Sequence, residues 1–295
     1  MSKILVPIDF GKQSIMALEY AKLIATKTNS EIHLLTVVEE SSFLKKLFDN
    51  EEEEKLINKA NKALERLAEE YLTGLTKKTE VRKGKAYEQI EKYADEISPK
   101  MIIMGKTEEI SLAKRIIGSN TLHVIRETDY PVVSLRGESK DVEDIIMLPV
   151  DMAKPFTEQV NAAIEYAKFL GINKIFVLSV NTSDDVVYET NLLVNLNNIK
   201  KTIEKAGLQC ESEVVEGKKG EVVEIINKYN EELKPLLTII MTRSESSTDE
   251  LFVGSVAQKI LETLKLPVMS IKPWDRFRGE NPVIKIIYDP FNLLN

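Results

Sequence analysis

KILVPIDFGKQSIMALEYAK, residues 3–22, returns in altered form as DIIMLPVDMAKPFTEQVNAAIEYAK, residues 144–168. Each copy runs from a strand-like apolar stretch through Pro-x-Asp into a helix carrying Ala-x-Glu-Tyr-Ala-Lys. A third landmark keeps step: Gly118-Ser119 precedes Pro131-Val132 by thirteen residues, and Gly254-Ser255 precedes Pro267-Val268 by the same interval. Three landmarks in one order mark an internal duplication. Repeat one covers 1–137 and repeat two 143–273, joined by the polar, charged RGESKDVE of residues 136–143.

Within each repeat, apolar runs alternate with helical patterns. Strands are expected at KILVPID, EIHLLTVV, EVRKG, KMIIMG and PVVSL. Their counterparts are DIIMLPVD, KIFVLSV, CESEVVEG, LLTIIMT and PVMSI. Most are continuously apolar, as parallel strands covered on both faces must be. Helices are expected at 13–28, 51–72, 87–97 and 119–128. The order predicts an α/β protein of two tandem doubly wound five-stranded parallel sheets, Rossmann-like, with right-handed crossovers. Residues 274–295 fit neither copy. Their VIKIIY run is expected to belong to a C-terminal arm packed on one of the sheets, with a fragment of a third unit as the alternative.

Composition narrows the function. A net charge of −7 disfavours nucleic acid as a partner, since no excess of cations is available to hold phosphates. No apolar run approaches the ~20 residues that span a bilayer, and MSKILVPIDF lacks signal-peptide architecture, so a cytoplasmic setting is expected. One cysteine, Cys210, excludes an internal disulfide, and with two histidines beside it a Cys/His zinc site is disfavoured.

Ligands of an open α/β sheet gather beyond the carboxyl ends of the strands, where strand order reverses. Asp9, Val37 and Gly105 each end a strand, and the helix starting near Gly118-Ser119 offers free N–H groups to an anion. Ser119 could equally act as an N-cap, and Asp9 and Asp151 could cap the loops that follow them. The stretch GKTEEISLAKRIIGSNT, residues 105–121, begins like the end of a P-loop. A Walker A loop needs a further glycine where Lys100 stands, so that likeness is spurious.

A different pattern fits. Gly105, two residues, Glu108, nine residues, then Gly118-Ser119, with Pro7-x-Asp9 on the first strand, resembles the universal stress protein family. Its nucleotide-binding members carry Gly-x2-Gly-x9-Gly-Ser/Thr after the fourth strand. The PIDF opening, LLTVV, VRKGKAYEQI, VVEGKKGEVVEII, YPVV and LPVM segments extend the resemblance over residues 1–273. It implies an adenine nucleotide alpha hydrolase-like fold and a bound adenine nucleotide, most simply ATP, with Mg²⁺ accompanying it. By position, Pro7, Asp9 and Val37 would meet the nucleoside, with Asp9 at the nucleoside end and Val37 contacting adenine through its backbone. Met104 and Gly105 would border the phosphates, and Gly118, Ser119 and Asn120 would wrap them. The resemblance also implies an intramolecular pseudo-dimer of the two repeats, paired through residues 131–135 and 267–271, and leaves room for a homodimer of the whole chain.

The departure is Glu108, standing where the second glycine belongs. In repeat two Thr242 is taken for the first glycine and Glu245 for the second, with a spacer one residue shorter, while Asp151, Val180, Gly254 and Ser255 persist. A carboxylate ~5 Å from a phosphate charge repels it by roughly 1–3 kcal/mol. Loop charge differs between the copies. Residues 105–121 set three cations against two carboxylates, whereas 242–258 set one against three. Repeat one is therefore expected to hold the anion and repeat two to be degenerate.

Elsewhere, Glu51–Glu54 read as the solvated acidic entry to a helix, and His33 and His123 as core or surface residues. Cys210 has no activating base, and no nucleophile, base and oxyanion donor can be assigned together. Two readings follow. In one, a stress-response protein binds ATP in repeat one, with any hydrolysis slow and incidental. In the other, neither repeat binds ATP and the chain serves as a scaffold for an unidentified protein partner.

Overall fold

Runs of Ile, Leu, Val and Met too short for a buried helix, flanked by Pro, Gly and Asp, give parallel strands in both repeats. The computed structural model describes residues 1–39, 50–106, 109–111, 114–116, 118–137, 141–152, 154–183, 186–242 and 253–272. Two units are present, residues 1–136 and 137–295. The expected arm at 274–295 lies outside the described residues.

Unit one runs β1 (Lys3–Pro7), α1 (Lys12–Thr28), β2 (Glu31–Val38), α2 (Asn50–Tyr71), β3 (Lys77–Lys83), α3 (Ala86–Ile97), β4 (Met101–Gly105), β5 (Glu109–Ser111), β6 (Lys114–Ile116), α4 (Ser119–Glu127) and β7 (Val132–Leu135). Its sheet has the parallel order β7-β4-β1-β2-β3. The strand order reverses between β1 and β4, and their carboxyl ends frame a crevice there. One element was not expected: β5 and β6, read as loop from the sequence, pair as an antiparallel hairpin. Three-residue runs carry no legible periodicity.

Unit two runs β8 (Glu143–Pro149), α5 (Thr157–Leu170), β9 (Lys174–Asn181), α6 (Val186–Lys205), β10 (Gln209–Glu216), α7 (Val222–Leu233), β11 (Pro235–Met241), α8 (Ser255–Thr263) and β12 (Val268–Ile271). Its sheet follows the same parallel plan, β12-β11-β8-β9-β10.

The duplicated Ala-x-Glu-Tyr-Ala-Lys motif explains how the first helix of each unit packs. Ala17, Ala21, Ala163 and Ala167 are fully buried, and so, nearly, are Tyr20 and Tyr166. Alanines let the helix axis approach the sheet while the tyrosine fills the space beside it. Beneath them Ile4, Leu5 and Val6 of β1 are wholly inaccessible, as are Ile146, Met147 and Leu148 of β8.

A polar chain runs through the outer strands of unit one. His33 on β2 is 2% exposed; its Nδ1 lies 2.8 Å from the Tyr93 hydroxyl, and its Nε2 lies 3.2 Å from Glu31 Oε2. Lys78 Nζ reaches Glu31 Oε1 at 3.3 Å, and Arg82 stacks 4.5 Å over the Tyr93 ring while bonding Glu80 and Glu96. Burial pushes the His33 imidazole below its ordinary value and outweighs the pull of Glu31. Below the unfolded value of 6.5, the unfolded chain takes up a proton that folded His33 declines. Stability contributed here is complete above that pH and lost on acidification. Unfolding free energies from urea titration should fall between pH ~7.5 and ~5.5 by less than about 1 kcal/mol per pH unit, and His33→Gln should flatten that slope.

Candidate functional site

Elements at the carboxyl end of unit one bring Pro7–Asp9, Val37, Met104–Gly105 and Gly118–Asn120 to the same rim of the sheet. The Ile8 N–H donates to the Leu35 carbonyl at 2.8 Å and the Thr36 hydroxyl donates back to the Ile8 carbonyl at 3.0 Å, holding β1 and β2 together up to Asp9 and Val37. The Thr121 hydroxyl donates to the Gly105 carbonyl at 3.3 Å, seating the first turn of α4 over the end of β4.

Asp9 itself is exposed, and its Oδ1 accepts the Gly11 N–H at 2.8 Å. The loop-capping role is thus present, with Oδ1 fixing the turn. Within that turn Phe10 takes a left-handed φ of 61° and stays 42% exposed. A bulky residue in that region costs roughly 1–2 kcal/mol. The sequence reading missed Phe10, whose backbone strain only coordinates reveal. Its counterpart in unit two, Met152, is buried.

Ser119 does not cap its helix. Gly118 is the N-cap, with φ −53° and ψ 139°, and as a glycine it offers no side-chain acceptor to the first-turn N–H groups; exposed Ser119 is the first helical residue. Gly254 and Ser255 repeat this arrangement on α8, with φ −53° and ψ 148°. A cap glycine supplies no side-chain acceptor of its own to the first-turn donors, at the positive end of the helix dipole where an anion is favoured. Glu108 lies outside the described residues, as does Glu245.

Gly105 has a packing role that the motif alone does not show. A Cβ built there would stand 2.3 Å from the Gln13 carbonyl oxygen and 2.4 Å from its carbon. Helix α1 therefore begins against bare backbone. The ladders also correct the alignment of the second copy: Gly105 pairs with Leu135 and Met241 pairs with Ile271, while the next N–H, of Lys106 or Thr242, donates to that same carbonyl. Met241, not Thr242, stands in the place of Gly105, and the interval to Gly254 equals that from Gly105 to Gly118. The short Gly spacing had no glycine to anchor it in repeat two, which is why sequence comparison slipped by one.

The two crevices differ most at a residue that the sequence reading passed over. Gln13 and Gln159 both stand four positions before the duplicated Ala-x-Glu-Tyr-Ala-Lys. Gln159, 5% exposed, donates through Nε2 to the Pro149 carbonyl at 2.8 Å and to the Ile239 carbonyl at 3.1 Å, tying β8 to β11 where they diverge. Gln13 makes no such tie, and its Oε1 is buried with no hydrogen-bond partner. Near Val180, Asn181 Nδ2 donates to Glu216 at 3.0 Å between the paired strands β9 and β10, where unit one has Val38 and Lys83. Exposed Asp151 lies 3.5 Å from Lys154 Nζ.

Other candidates recede. Cys210 is buried, and burial pushes its thiol up to about 11, the opposite of activation. His123 stacks on Tyr87 at 4.5 Å between centroids. Among the described residues no three His, Cys, Asp or Glu side chains gather as a metal site, and no helix is long and apolar enough to cross a membrane.

A model described as the universal stress protein family matches residues 1–136 and again 144–272. A universal stress protein of Methanocaldococcus jannaschii is 28% identical over 152 residues, which cover 45% of this chain and 94% of that one. Among solved structures, a universal stress protein from Archaeoglobus fulgidus superposes with a TM-score of 0.71 at 19% identity, over 92% of this chain and 97% of that chain. Another from Archaeoglobus fulgidus, solved in complex with dAMP, matches 44% of this chain and 99% of its own at 21% identity, with a TM-score of 0.37.

Proposed function

We propose that this chain, which belongs to the universal stress protein family, binds an adenine nucleotide in repeat one and not in repeat two. The observation that carries this reading is the unequal strand divergence: Gln159 ties β8 to β11 in repeat two, while Gln13 leaves β1 and β4 untied. Placing the phosphates at the α4 amino end uses first-turn donors to which the glycine cap itself offers no acceptor. Asp9 then faces the nucleoside end, and the Val37 backbone meets adenine. Gly118, Ser119 and Asn120 surround the phosphates, beside Met104 and Gly105. ATP is the simplest occupant. Any Mg²⁺ would arrive on its phosphates, since the described residues gather no carboxylate cluster of their own. Binding without assigned catalytic groups fits a cytoplasmic stress sensor better than an enzyme.

Calorimetric titration and thermal melting of the full chain test this. ATP should release heat and raise the melting temperature. Glu108→Gly should tighten binding by about one to two decades, by removing a like charge, and Ser119→Ala should weaken it. Absence of both heat and a melting shift at millimolar ATP would overturn the proposal. Rescue by Glu108→Gly would then favour the partner scaffold.

A further inference from the structure

The central strands of both sheets part at the same place. Their ladder ends at Leu5–Ile102 in unit one and at the equivalent Met147–Thr238 in unit two. In unit two the Gln159 amide spans the gap beyond, with Nε2 on the Pro149 and Ile239 carbonyls. Gln13 occupies the equivalent place in unit one. A Cβ on Gly105 would stand 2.8 Å from the Cβ of Gln13, so this side chain starts at the edge of the gap between β1 and β4. Lys106, the next residue and itself only 2% exposed, turns to the other face by the alternation of the strand. Gln13 Oε1 is shielded from solvent and meets no donor. A dry, unpaired amide oxygen is destabilising, and native proteins keep few of them.

The order of the strands selects the donor that would answer it. With adenine against Val37 at the end of β2 and phosphates at the amino end of α4, the part of the nucleotide between them is the sugar. In the sheet, β1 stands between β2 and β4, so the sugar lies over the β1–β4 gap. The chemistry agrees. Ionised phosphate oxygens only accept hydrogen bonds, and the amino group of adenine is at the far end of the ligand. Ribose hydroxyls donate, and an amide oxygen accepts. We propose that Gln13 is a sugar-recognition residue of the repeat-one site, its amide oxygen accepting a ribose hydroxyl. This rests on the nucleotide reading and adds a specificity to it: ribonucleotides are held in preference to nucleotides that lack that hydroxyl. Gln159 cannot do the same in repeat two while its amide is engaged with two strands.

The test is calorimetric titration of the full chain with ATP, 2′-deoxy-ATP, 3′-deoxy-ATP and tripolyphosphate, for the native protein and for Gln13→Met, which keeps the length of the side chain and removes its amide. The native chain should bind ATP about five- to tenfold more tightly than one of the two deoxy analogues, the worth of one neutral hydrogen bond. Gln13→Met should lose that factor for ATP alone and bind the same analogue and tripolyphosphate as the native chain does, so that the preference disappears. Urea unfolding without nucleotide separates recognition from structure. The midpoint of Gln13→Met should stay level or rise, because an unpaired oxygen gives way to an apolar group. A purely structural glutamine would instead lower the midpoint and weaken every ligand alike. Gln13→Leu, branched where methionine is straight, should repeat both results. If ATP binds but neither deoxy analogue is disfavoured, or if the preference survives in both variants, this inference falls and nucleotide binding stands. If ATP gives no heat with the native chain, both fall.

Discussion

Gly105→Ala should destabilise unit one by about 3 kcal/mol or more, at the upper end of what overpacking costs. Only one methyl group is added, but it would meet the backbone carbonyl of Gln13 at 2.3 Å, inside any permissible contact. A flexible side chain could swing away; the first turn of a helix cannot. Either α1 lifts from the sheet, exposing part of the surface that Ala17 and Ala21 bury, or β4 bends away from β1. Both routes also disturb the turn that carries Asp9. A melting shift of roughly 6–12 °C is expected, using about 2–4 °C per kcal/mol for units of this size. Met241→Gly in repeat two serves as the contrast. There the chain already accommodates a side chain, because five residues separate Asp151 from α5 where two separate Asp9 from α1. That substitution should cost only what an added glycine and a lost side chain cost. Equal losses at both sites would refute the packing explanation.

Lys106→Met should have the reverse sign, stabilising the empty protein by about 2–4 kcal/mol near neutral pH, in the range found when buried charges give way to apolar groups. The dependence on pH identifies the cause. A free lysine holds its proton up to 10.5, whereas folded Lys106 releases its own near about 7. Between those values the unfolded chain carries the extra proton, so native stability rises with pH and the penalty is fully developed only at and below neutrality. The advantage of methionine should therefore be greatest at pH 7 and shrink steadily toward pH ~10.5. Urea unfolding of both proteins across that range measures it. A gain that does not vary with pH would mean that methionine merely packs better.

Much of the architecture was legible because it is written twice. The duplicated Ala-x-Glu-Tyr-Ala-Lys fixed the position of each first helix, and continuously apolar runs announced parallel strands within one or two residues of their ends. What escaped notice had no periodic signature. Lys106 looks like any lysine after a strand, and only its burial sets it apart. Gln13 and Gln159 are the same residue at the same place in each copy, yet one bridges two strands and the other does not. The β5–β6 hairpin is too short to show alternation, and the one-residue slip at Met241 came from aligning a glycine motif onto a segment without its glycines. For Ser119, the hydroxyl suggested a cap, but the preceding glycine holds the capping position and leaves the serine exposed.

The buried thiol of Cys210 has a practical corollary. With its ionisation near about 11, only about one molecule in ten thousand carries the reactive thiolate at pH 7. Maleimide dyes and spin labels will pass it by in the native protein. A cysteine introduced on an exposed position beside the crevice, such as Ser119→Cys, can therefore be tagged selectively in the otherwise unaltered chain, giving a fluorescent reporter of occupancy at that rim.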